Sequence, residues 1–219
     1  MTPQPSSVQL DKRLYREAQA KYEELWKRGN EFLYTLCAES PGHADLSVVT
    51  AKVWLISRAY SADPARHGIG REEVARHLHS NSRAVDGIFR ELHGISPARP
   101  TLNEEILERV VIRHSEFMGL LREINPKGRE TRSFVSKYMH CHCPDIVPIF
   151  DSLASSALRS IVSRKDAKFL SDIGDKDYCV YCNRFLALWH RAIALNLEPT
   201  VKLLDEYLLA LKKSRDLKR

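Results

Sequence analysis

Apolar residues recur at steps of three and four along nearly the whole chain, and that spacing restricts the fold more than any other feature of the sequence. Between positions 8 and 39 they fall at Leu10, Leu14, Tyr15, Ala18, Tyr22, Leu25, Trp26, Phe32, Leu33 and Leu36. This is the repeat of one side of an α-helix. The run reads as one long amphipathic helix with Gly29 as its point of interruption, ended by Pro41-Gly42. Asp45 or Ser47 can cap the next helix, whose Val48, Val49, Val53, Trp54, Ile56 and Ala59 form a broad apolar face expected at the centre of the molecule. Residues 61–70 carry Pro64, Gly68 and Gly70 and read as a loop. Two short helices follow over 71–79 and 82–92, then a breaker-rich segment through Pro100. Thr101 with Glu104 has the spacing of a capping box for a helix running to Ile124. Asn125-Pro126-Lys127-Gly128 stops it, and further helices are expected over 178–195 and 201–212.

The only β-like run, Ile146 to Phe150, contains Pro148, which cannot donate to a strand ladder. The expected class is therefore all-α, a compact single domain of about eight to ten helices. It should span 8–213, between a polar tail at 1–7 and a charged frayed end at 214–219.

A chain of 219 residues that is 43% hydrophobic can bury a sizeable core. The net charge of +6 and pI of 9.1 favour an anionic partner such as DNA. No run of Lys and Arg exceeds two residues, so the same charge also suits an ordinary solvated surface. The five cysteines, at 37, 141, 143, 179 and 182, are odd in number, and the first residues lack the pattern of a secretory leader. Reduced thiols and a cytoplasmic location are expected. No window approaches the roughly 20 apolar residues of a membrane span.

Four groups of residues compete to carry function. Over 71–92, Ala75, Val85 and Ile88 have the relative spacing of a helix-turn-helix core with Leu78 in support, although His79 stands where the turn glycine is usual. That reading puts Ser80, Asn81, Ser82, Arg83 and Arg90 toward DNA; any two short helices joined by a polar loop give the same pattern. His140, Cys141, His142 and Cys143, with Cys179 and Cys182, have the ligand chemistry of a zinc site but no familiar zinc spacing. Cys182 also aligns with Phe185 and Trp189 as a core residue would, so no metal or other cofactor is expected. Ser133, Ser136 and Lys137 lack the glycine-framed serine and oxyanion loop of acyl transfer.

Lys137 and Asp151 form the fourth group. Lys137 lies at the margin of the apolar stripe Phe134, Val135, Tyr138, Met139 and His142, where desolvation lowers an amine's pKa. Asp151 begins the next helix after a short loop with two prolines, so the two groups can share a cleft. The alternative is a snorkelling surface lysine and a capping aspartate.

Residues 124–158 resemble the catalytic segment of helix-hairpin-helix DNA glycosylases. Gly128-Arg129-Glu130-Thr131 is similar to the end of their hairpin, and Asp151-Ser152-Leu153 to their aspartate at a helix start. Glu130 stands at the position of the family's Schiff-base lysine, Lys137 comes two turns later, and the hairpin's first glycine is absent from Asn125-Pro126-Lys127-Gly128. The phrases Trp54 to Tyr60, Ser136 to His140 and Pro148 to Ser152 are also similar to a set of small all-helical bacterial proteins. The glycosylase resemblance implies backbone binding by Lys127, Gly128 and Arg129, and extrusion of a base into a pocket beside Trp54, Tyr138 and His140. It further implies cleavage of the N-glycosidic bond with Asp151, while Lys137 contacts phosphate or acts as an electrostatic partner. A non-enzymatic DNA-binding protein using the 71–92 hairpin, and a metal-stabilised interaction protein, are the alternatives.

Overall fold

A computed structural model of the protein describes residues 9–95, 101–125 and 131–217, which fold as α-helices with no strand among them. Helix α1 (Lys12–Lys21) passes through a π-helical turn at Tyr22–Trp26 directly into α2 (Lys27–Glu39). The irregularity in this rod is therefore the π turn and not Gly29, which lies inside α2. It separates two halves with different partners, α1 on α10 and α2 on α7 and α3. Asp45 caps α3 (Leu46–Ala59), accepting from the backbone N–H groups of Ser47 and Val48. This helix buries Val49, Val53 and Ile56, but Trp54 is 39% exposed, so the expected broad buried face is narrower than the sequence suggested.

A 3₁₀ turn at Pro64–His67 precedes α4 (Arg71–Ser80) and α5 (Ser82–Ile95). Helix α6 (Glu104–Arg122) is capped by Asn103, whose Oδ1 accepts from Ile106 N at 2.9 Å. Thr101 lies outside the capping position, two residues upstream, so the expected capping box does not form there. The remaining helices are α7 (Arg132–His142), α8 (Ser152–Ile161), α9 (Lys176–Ala194) and α10 (Val201–Asp216). Helix α10 enters the 214–219 stretch expected to fray, and a Lys212–Asp216 ion pair at 2.7 Å spans its last turn.

Helix α7 is the axis of the fold. It packs against α2, α3 and α6, and every residue from Phe134 to His142 is buried. In a helix enclosed on all sides most polar side chains find partners inside the protein, although both ring nitrogens of His142 are buried without one. His140 Nδ1 donates to Val147 O at 2.9 Å, which leaves Nε2 to accept from Tyr34 OH, also at 2.9 Å. Tyr138 OH bonds His43 Nε2 at 2.9 Å, while His43 Nδ1 donates to Asp86 Oδ1 at 2.7 Å.

Burial holds these core histidines neutral. His43 is pushed down to about 4, His114 and His140 to about 3, each chiefly by desolvation. All lie below the ordinary value of 6.5, so in the intermediate range the unfolded chain binds protons that the folded chain refuses. Their contribution to stability is full above pH 6.5 and is lost as pH falls toward the folded values. The expected loss approaches about 1.4 kcal/mol per pH unit for each histidine. Chemical denaturation at pH 7, 6 and 5 checks this, and a stability unchanged across that range would contradict it.

Candidate active site

The sequence separates Lys137 and Asp151 by a loop, and the fold pins that loop along its main chain. Val147 O accepts from His140, Pro148 O from Tyr178 OH at 2.7 Å, and Ile149 O from Tyr181 OH at 2.7 Å. Phe150 N donates to Ser136 Oγ at 3.0 Å. Asp151 follows immediately as the cap of α8, its Oδ1 accepting from Ala154 N at 2.7 Å. Its other oxygen, Oδ2, lies 3.6 Å from Lys137 Nζ, which also donates to Tyr60 O at 3.0 Å.

The Lys137 side chain is 5% exposed and that of Asp151 is 21% exposed. Burial pushes the Lys137 amine below its ordinary value, and the charge of Asp151 pulls it back. The pair lies between two adjoining clefts of about 400 and 430 Å³, with Tyr60, Ser61, Lys137, Asp151 and Leu153 lining both. Arg132 stands in the second cleft and is held by Asp175, the cap of α9, through contacts of 2.5 and 2.8 Å.

The first cleft is walled by α10. Lys202 Nζ lies 2.9 Å from both Asp205 Oδ2 and Glu206 Oε1. Burial opposes the charged Lys202 amine, but the two carboxylates outweigh it and its pKa rises. Burial raises Asp205, with Lys202 pulling it down. These residues have the i, i+3 and i, i+4 spacing of an ordinary exposed ion pair, so no sequence signal set them apart. Tyr60 was equally hidden, because its carbonyl holds Lys137 and main-chain acceptors leave no trace in composition.

The other expected site residues do not gather here. Tyr138 and His140 are fully buried in core hydrogen bonds, and neither lines the cleft that holds Lys137 and Asp151. Trp54 does not line it either, and packs instead against Arg71, 4.6 Å from the ring centre. These three residues therefore do not line the Lys137–Asp151 cleft: all-round burial of α7 turns Tyr138 and His140 into the core, and Trp54 lies on α3. Arg83 and Arg90 are exposed on α5, seven residues apart and so on one face. Lys127, Gly128 and Arg129 lie outside the described residues.

All five cysteines are free and buried. Among the described residues no three His, Cys, Asp or Glu side chains converge as metal ligands. No described helix is long and apolar enough to cross a membrane. Comparison of the chain with protein-family models, curated proteins and solved structures finds no match.

Proposed function

We propose that the protein acts on DNA and cleaves the N-glycosidic bond of an extruded nucleotide in the Lys137–Asp151 cleft. The observation that carries this reading is the pair itself, a buried amine 3.6 Å from a carboxylate whose other oxygen is fixed by a helix N-terminus. In that arrangement the bond between C1′ and the base breaks with its electron pair leaving on the base. Water adds to C1′, and the Asp151 carboxylate stabilises the cationic sugar and takes the water's proton. Lys137, 5% exposed, suits an electrostatic role beside Asp151 better than a phosphate contact. A cleft of about 400 Å³ has room for a base.

The test uses the full chain on DNA strands carrying normal, deaminated, oxidised and alkylated bases, with released base measured directly. Release above background from at least one strand is expected, and no release from any of them sinks the reading.

A DNA-binding role for α5 rests separately on the exposure of Arg83 and Arg90 on one face. Weak, salt-sensitive binding is expected from dispersed phosphate contacts. Reversing both charges should lower affinity at low salt by about tenfold or more and reduce the salt slope by about 2. Unchanged affinity in a salt titration removes α5 from the interface.

A further inference from the structure

Asp205 is 2% exposed and lines the first cleft, and its Oδ1 is buried without a hydrogen-bond partner. Its other oxygen is taken by Lys202 at 2.9 Å. A buried acceptor left unpaired costs free energy that a donor from a ligand would recover. The cleft around it limits what that ligand is. Lys21, Lys137, Lys202 and Lys213 line it together with Asp151, Asp205 and Glu206, so a compact cation meets lysines and an anion meets carboxylates. A neutral group with its own donors and acceptors meets neither penalty. Trp26 and Tyr60 are the aromatic residues in the cleft walls, the Tyr60 ring held by its hydroxyl donating to Asn30 Oδ1 at 2.5 Å, with Lys202 Nζ 5.1 Å from the ring centre. Flat neutral heterocycles suit such walls.

We infer that this cleft binds nucleobases bearing an exocyclic amino group, with Asp205 Oδ1 accepting from that amine and Trp26 and Tyr60 contacting the ring. The inference deepens the glycosylase reading, because it names the class of base admitted beside Lys137 and Asp151. Asp205 is then a specificity residue and takes no part in breaking the bond. A base that presents a carbonyl where the amine belongs sets one acceptor against another and leaves Asp205 unpaired. Discrimination of that kind exceeds what an apolar pocket achieves by shape.

The experiment titrates the full chain with free bases in matched pairs, adenine against hypoxanthine and cytosine against uracil, by calorimetry. The amino member of at least one pair should bind about tenfold tighter or better. Asp205→Asn, which offers an amide N–H donor as well as a carbonyl acceptor, should erase the difference. Equal affinity within both pairs, or no binding of any base, overturns the inference. So does a preference that survives intact in a folded Asp205→Asn protein. Should that variant fail to fold, the wild-type pairs still decide. Base release separates the two readings: amino preference without release from any strand leaves this site standing and the cleavage reading fallen. Release without amino preference does the reverse.

Discussion

Asp151→Asn should leave a folded protein that no longer releases base. Asparagine caps a helix about as well as aspartate, so the bond to Ala154 N is retained and α8 keeps its start. What disappears is the negative charge at Oδ2, 3.6 Å from Lys137. The buried amine then loses its counter-charge, and its pKa, already lowered by desolvation, should fall further. The expected cost in stability is about 1–2 kcal/mol, because Lys137 still donates to Tyr60 O and can shed its proton. Activity should fall by at least about 100-fold, the scale of losing a preorganised charge at a transition state. Denaturant melts and base-release rates measured on the same preparations separate the two effects. Full activity in the variant would reduce Asp151 to a cap.

The largest loss of stability should come from Tyr138→Ala. The side chain is fully buried, touches the rings of Phe89, Phe117 and Phe134, and bonds His43. Truncation removes that packing and leaves a cavity at the axis of the fold, at a cost of about 3–5 kcal/mol. Tyr138→Phe keeps the ring and strands only His43 Nε2, for about 1–3 kcal/mol. If Tyr138→Ala were nearly neutral in urea denaturation yet abolished base release, Tyr138 would be a pocket residue as its sequence neighbourhood suggests.

The helical class was legible because helical periodicity is a local property, visible in segment after segment. Lys137 and Asp151 were legible as a pair for a related reason, since a short loop with two prolines limits how far apart its ends can go. The pocket residues were not. The aromatic and imidazole side chains of Tyr138 and His140 look like ligand contacts when the helix is viewed alone. They become core only because α2, α3 and α6 cover the remaining sides of α7. The same limit concealed Lys202 and Asp205, whose burial depends on α1 and α8 packing against α10. Caps were read to within a turn: Asp151 was placed at the start of its helix and Asp45 was one of two candidates for α3, whereas the capping-box spacing pointed to Thr101 where Asn103, two residues on, caps α6.

The loop before Asp151 is anchored through its main chain, by donors from α7 and α9 to three successive carbonyls and by Ser136 to the next amide. Anchoring of this kind is indifferent to which side chains Val147 and Ile149 carry, so long as they fit the core. It is not indifferent to length. One inserted or deleted residue would slide each carbonyl past its donor and swing Asp151 away from Lys137, so the segment behaves as a measured spacer in which register matters more than composition.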